Sequence, residues 1–150
     1  MRRATAVSGA VPPTKGAAYS KLRARDEYVC EWRPEPHHLA FDGILNGGIC
    51  GALLDCHSNW TAAYHLMKKA GADTPPSTVT AEFHVKLKRI TPMDTTLQLR
   101  ARVTESTENT AVVDAEIVAN GKVTSTCRRG RARASGLSPL GVNTSSPKSV

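Results

Sequence analysis

The sequence predicts an α+β two-layer domain, with an antiparallel sheet laid over one long helix. Three observations carry this. From about Asn46 to Lys69, Ile49, Leu53, Cys56, Trp60, Ala63, Tyr64 and Met67 recur at three- and four-residue steps. From Val79 the period changes to two, with Val79, Ala81, Phe83, Val85 and Leu87 on one side and Thr80, Glu82, His84, Lys86 and Lys88 on the other. The segments that follow keep this alternation and are joined by short polar turns, so neighbouring strands pair antiparallel.

Taken in order, residues 1–26 read as a flexible N-terminal arm, small, polar and Pro-containing, with a short helical turn from Tyr19 to Arg25. A strand follows from Glu27 to Arg33, stopped by Pro34 and Pro36, and His37-His38 lie in a loop. Lys68 and Lys69 suit the C-terminal end of the long helix and Gly71 stops it. Pro75-Pro76 mark the connection to the strand at Val79–Leu87, which Pro92 ends. Leu97, Leu99, Ala101 and Val103 define the next strand, and Ala111, Val113, Ala115, Ile117 and Ala119 another. Asn120-Gly121 is a hairpin signal, since a type I′ turn needs positive φ at both positions. The last strand runs from Lys122 to about Ala134 with Val123, Ser125 and Cys127 inward and a bulge at Gly130. The folded domain therefore spans 27–135, and 136–150 reads as a disordered Ser/Pro-rich tail.

Composition narrows the class. The net charge is +7, and residues 121–150 contain Lys122, Arg128, Arg129, Arg131, Arg133 and Lys148 without an acid. Such an edge suits an anionic partner. Aromatic interleaving and nucleic-acid motifs are absent, so nucleic acid is not the expected partner. No apolar run reaches the ~18 residues of a membrane span, and residues 1–20 lack the apolar centre of a signal peptide. Cys30, Cys50, Cys56 and Cys127 form no Cys-x-x-Cys pair, which points to reduced thiols in a cytoplasmic protein and to no metal site.

The chemistry concentrates at the helix start. Gly47 and Gly48 leave backbone N–H groups open to a polar oxygen. Asp55 lies two turns further along, set among apolar residues, where a carboxylate needs a partner or a task. Gly48 and Asp55 are roughly 10 Å apart along one helix, too far to touch one reacting carbon together. His57 reads as packed or at an interface, although it stays a candidate for substrate contact. Tyr64 reads as a core residue and a candidate for substrate contact.

The run Gly43-Ile44-Leu45-Asn46-Gly47-Gly48 through Leu53-Leu54-Asp55 resembles a motif of the hotdog-fold acyl-CoA thioesterases, in the branch related to the phenylacetate-pathway thioesterases. That motif is a glycine, a hydrophobic link, His-Gly-Gly, an apolar run and an acid nine residues after the His. Val79 to Arg89 likewise resembles the downstream Val-Thr-x-x-x-x-Val-x-Leu-x-Arg strand, and the likeness covers about residues 28–134. It implies a curved antiparallel sheet wrapped around one central helix. It also implies thioester hydrolysis, with coenzyme A as part of the substrate and no separate cofactor. Gly48, beside Gly47, would offer its N–H to the thioester carbonyl. Asp55 would be general base or nucleophile, and Thr80 would help orient water. Arg89, Arg128 and Arg129 would meet the coenzyme A phosphates. The site would lie between subunits of a homodimer or a dimer of dimers. Asn46 stands where the family has His. It donates and accepts hydrogen bonds but cannot carry a proton near neutral pH. Ala40 stands where some relatives carry Asn.

Two other readings belong to different classes. A non-catalytic hotdog module that binds acyl-CoA as a sensor would explain Asn46. A hydratase acting on enoyl thioesters ranks below both, because it needs an acid–His pair arranged differently.

Overall fold

The computed structural model describes residues 20–22 and 27–134. The elements are β1 (Ser20–Leu22), β2 (Glu27–Trp32), a 3-10 turn (Pro36–His38), β3 (Leu39–Phe41), β4 (Ile44–Leu45), α1 (Gly47–Ala70), β5 (Thr78–Thr80), β6 (Phe83–Leu87), β7 (Leu97–Ser106), β8 (Thr110–Ala119) and β9 (Lys122–Ala134). Among the described residues, one antiparallel sheet runs β1-β2-β7-β8-β9-β5, with β6 also on β9. Helix α1 lies across β7, β8 and β9 and reaches β5 and β6. The expected α+β architecture, one long helix under an antiparallel sheet, is therefore present. The expected N-terminal arm, apart from β1, and the C-terminal tail lie outside the described residues.

The turns follow their residue chemistry. Asn120 and Gly121 adopt φ of 50° and 73°, as the hairpin between β8 and β9 requires. Gly71 caps α1 in the left-handed region, its N–H bonded to the Lys68 carbonyl. The core joins Leu53, Leu54 and Leu66 of α1 to Leu97 and Leu99 of β7, Val113 and Ile117 of β8, and Cys127 of β9.

Four expectations change. First, the buried face of α1 is rotated away from the apolar stripe. Cys50, Leu54, His57, Ser58, Thr61, Ala62 and Leu66 are buried along with Leu53 and Ala63, whereas Ile49, Cys56, Trp60, Tyr64 and Met67 are half-buried. Small residues let the sheet approach closely. The Ser58 and Thr61 hydroxyls return to the Leu54 and His57 carbonyls at 2.6 and 2.9 Å, so their burial leaves no orphan donor. Second, the strand from Val79 to Leu87 is broken at Ala81-Glu82. Thr80 bonds to α1 and Val85 packs on the core, so both face the helix although five positions separate them. Strict alternation would place them on opposite faces. The break corrects the expected side for Val79, which is 59% exposed. It is matched on β9: β8 advances from Ala111 to Val113 while β9 advances from Ala132 to Arg129, the extra residue of a bulge around Gly130. Third, Leu39–Phe41 and Ile44–Leu45 form a small hairpin where a loop was expected, with Gly43 at φ 75°. Fourth, Ser20–Leu22 is a strand on β2, not a helical turn; the rest of that predicted turn lies outside the described residues.

Candidate active site

The start of α1 is built from three pieces of chain. The Asn46 N–H bonds to the His38 carbonyl at 3.0 Å and the Leu45 N–H to the Thr91 carbonyl at 2.9 Å. His38 is buried. Its Nδ1 accepts from the Glu35 N–H at 2.9 Å and its ring packs on Trp32, so it buttresses the turn rather than lining a site. Burial and the neighbouring His37 hold its pKa below the usual value. Asn46 caps the helix, its Oδ1 accepting from the Gly48 N–H at 2.8 Å. The donor expected to meet a carbonyl oxygen is thus taken by the residue that replaces the family's His. A Cβ on Gly47 would lie 2.8 Å from Leu87 Cδ1, the end of an exposed side chain on β6 that is free to turn aside.

Two turns along, Asp55 is 38% exposed at its side chain, less enclosed than its apolar setting suggested. Thr80 Oγ1 donates to Asp55 Oδ1 at 2.8 Å. Beneath them lies Arg129, whose side chain is 0% exposed. Its Nη2 donates to Thr80 Oγ1 at 2.6 Å and to Asn59 Oδ1 at 2.8 Å, and its Nε is 4.0 Å from Asp55 Oδ1. Thr78 Oγ1 also donates to Asn59 Oδ1, at 2.6 Å. Burial pushes the Arg129 pKa down, opposed by Asp55. Asp55 Oδ2 keeps its lone pairs without a hydrogen-bond partner among the described residues.

The site residues read from the sequence therefore separate. Asp55 and Thr80 are brought together, and Asn46 and Gly48 meet each other. The expected Arg128–Arg129 pair is split, because adjacent strand residues point to opposite faces. Arg128 lies on the outer face against Glu105 at 3.2 Å and Asp114 at 3.4 Å, while Arg129 is sealed beneath Asp55 and reaches no external phosphate. Arg89 is exposed just past β6. His57 is buried, with Nε2 3.0 Å from the Tyr28 carbonyl. Burial lowers its pKa to about 4 against that bond, so it is neutral and packed in the interior. Tyr64 stacks edge-on with Tyr28 at 5.8 Å, with Lys68 Nζ 4.7 Å from its ring centre.

Sequence reasoning missed Asn59 and the inward role of Arg129. Asn59 stands four residues after Asp55, on the same helix face, and that spacing was the available signal. The direction of Arg129 follows from alternation, since it lies two residues after the inward Cys127 and before the bulge at Gly130. The thiols near Asp55 are poor nucleophiles. Burial and the Asp55 charge raise Cys56, and burial, followed by Asp55, pushes Cys127 up to about 11. A carboxylate with one free oxygen, steadied by a hydroxyl, can accept a proton from water or attack an acyl carbon.

This architecture is the hotdog fold, and the chain belongs to the thioesterase superfamily, whose family profile matches residues 42–126. Three solved structures are similar to it. A thioesterase superfamily protein from Shewanella loihica is 24% identical with a TM-score of 0.60, covering 73% of this chain and 83% of its own. A putative thioesterase from Ralstonia eutropha, described as phenylacetic acid degradation-related, is 21% identical with a TM-score of 0.59, covering 71% and 75%. A hypothetical thioesterase from Streptococcus pneumoniae, solved with coenzyme A, is 18% identical with a TM-score of 0.62, covering 75% and 84%. At these identities they share the fold. A search of curated proteins returns no match. No helix among the described residues is long and apolar enough to cross a membrane.

Proposed function

We propose that the protein hydrolyses acyl-CoA thioesters, R–CO–S–CoA + H2O giving R–COOH and HS–CoA, with Asp55 as the catalytic carboxylate. The observation that carries this is the Asp55–Thr80 pair, which leaves Oδ2 free. Asp55 accepts the proton of an attacking water, or attacks the carbonyl itself through an acyl anhydride that water then opens. Charge developing on the carbonyl oxygen is met by the N-terminus of a helix. For Gly48 to donate there, the Asn46 side chain must turn away from it.

Gly48 and Asp55 are seven residues apart on one helix, so a single chain does not bring both to one thioester carbon. We take the second group from a two-fold partner in a homodimer or dimer of dimers. The free edge supports this: Val79, Phe83 (44% exposed) and Leu87 (57% exposed) lie on β5 and β6, which pair only with β9 among the described residues. Such an apolar edge wants a cover. Lys86, Lys88 and Arg89, all exposed on this edge, replace Arg129 in the proposed contact with the phosphates of coenzyme A. The capped Gly48 N–H favours one alternative, a module that binds acyl-CoA without cleaving it. Thiol release across short, long and aromatic acyl-CoAs, read beside binding to the same panel, separates the two. Release with at least one acyl group supports hydrolysis; binding with no release anywhere in the panel overturns it. Light scattering of the same sample tests the oligomer, and a monomer at assay concentration contradicts the shared site.

A further inference from the structure

A cation as deeply enclosed as Arg129 is costly unless its surroundings repay the lost hydration. Here they repay it in part. Nη2 makes two short bonds, to Thr80 and Asn59, while Nε and Nη1 have no hydrogen-bond partner. The nearest anion is Asp55, whose Oδ1 is 4.0 Å from Nε, beyond hydrogen-bond reach. The guanidinium thus acts on Asp55 through its charge and through Thr80.

The hydroxyl makes this specific. An arginine side chain has donors and no acceptor. Thr80 Oγ1 must therefore accept from Arg129, and its one proton is directed to Asp55 Oδ1, 2.8 Å away. That oxygen becomes the anchored end of the carboxylate and Oδ2 the working end. Asn59 is oriented by the same logic, its Oδ1 receiving both Arg129 and Thr78. The backbone is fitted to this arrangement. The bulge on β9 and the break between β5 and β6 fall side by side, and the Gly130 N–H bonds to the Glu82 carbonyl at 2.9 Å. A Cβ on Gly130 would run into the Glu82 side chain.

We propose that Arg129 is a positioning residue for Asp55: through Thr80 it fixes which carboxylate oxygen is held and which is presented to water. The inference rests on the reading of Asp55 as the catalytic carboxylate. It makes Arg129 part of the machinery without any contact to substrate.

The test is steady-state hydrolysis of the best acyl-CoA in the panel by the full chain carrying Arg129→Met, Arg129→Lys or Thr80→Val, each also combined with Asp55→Asn. Arg129→Met should lower kcat about 100-fold, the scale of a misplaced catalytic group, with little change in KM. Arg129→Lys keeps the charge without the fork and should recover part of that loss. Thr80→Val, a near-isosteric change, should reproduce the loss and keeps the test decisive if Arg129→Met does not fold. In the Asp55→Asn background, Arg129→Lys and Thr80→Val should change the residual rate by less than about twofold, because the residues act through Asp55. A wild-type kcat in Thr80→Val or Arg129→Met, or equal losses with and without Asp55, overturns the proposal. If Asp55→Asn alone keeps the wild-type rate, the active-site reading itself fails. If Asp55→Asn is inactive while Thr80→Val is not, only the role of Arg129 fails.

Discussion

The centre of the sheet and its β5–β6 edge follow different rules. Within β7 and β8, Leu97, Leu99, Ala101, Val113, Ala115 and Ile117 alternate and are all buried, and the register shifts at Val103/Glu105 and Ile117/Val118 fall outside these runs. Arg100 and Glu116 face each other on the outer side, 3.9 Å apart. At the edge the alternation breaks at Ala81-Glu82, the facing strand bulges at Gly130, and a charged side chain sits where a core residue belongs. Regular pairing stabilises the centre. The edge gives up regularity so that Thr80, Asn59 and Arg129 converge on Asp55. Irregularity beside a carboxylate fits the proposed site, because such features persist only where the surroundings enforce them.

Substitutions at the two regions should separate stability from activity. The largest stability effect belongs to the centre: Ile117→Ala should cost about 2–5 kcal/mol in urea unfolding, the range for truncating a fully buried aliphatic chain. Activity per folded molecule should stay close to wild type. A loss below about 1 kcal/mol would mean that the centre is looser than its burial implies.

His57 adds a pH signature to the centre. Its folded pKa, about 4, lies below the ordinary histidine value of 6.5. As pH falls from 6.5, the unfolded chain takes up the proton first, so stability present above 6.5 is lost progressively as pH approaches 4. The slope is at most about 1.4 kcal/mol per pH unit, a total on the order of 3 kcal/mol. His57→Gln should flatten the dependence of unfolding free energy on pH in this window. An unchanged slope would assign the effect to other groups.

At the edge, Asp55→Ala removes the anion above an enclosed guanidinium and leaves Thr80 without its acceptor. It should destabilise by about 1–3 kcal/mol, discounted because the carboxylate is partly exposed. Asp55→Asn keeps an acceptor and should cost less, and equal losses for the two would contradict the network. The smallest effect is expected one residue from the enclosed arginine. Arg128→Met breaks only exposed pairs with Glu105 and Asp114 and should shift stability by less than about 1 kcal/mol. A cost as large as that of a core truncation would erase the contrast between the two arginines.

The sequence makes the regular parts legible. Alternation in β7, β8 and β9, the Asn120-Gly121 turn, the Gly71 stop and the bulge at Gly130 are local signals that tertiary packing leaves in place. The burial of α1 was not legible, because the sheet encloses Ser58 and Thr61 through their bonds back to the helix, and hydrophobic periodicity does not register this. The break between Thr80 and Val85 was hidden for a related reason. Val79, Ala81 and Phe83 extend the alternation across it, and nothing local shows that Val79 and Phe83 end on an exposed edge. Asp55 and Thr80 were found through motif spacing. Arg129 was recognised as a cation and assigned to the wrong side, although alternation from Ser125 and Cys127 already turns it inward; its basic neighbours made an exposed edge the simpler reading.

The central claim is that Asp55 does the chemistry while the surrounding network holds it. The most direct measurement is kcat for acyl-CoA hydrolysis by Asp55→Asn at a temperature where its unfolding curve matches that of wild type. The expected result is a fall of about 10²–10⁴-fold, the usual contribution of a positioned general base, with the fold intact. A rate within about twofold of wild type would remove Asp55 from the reaction and leave the network a structural device.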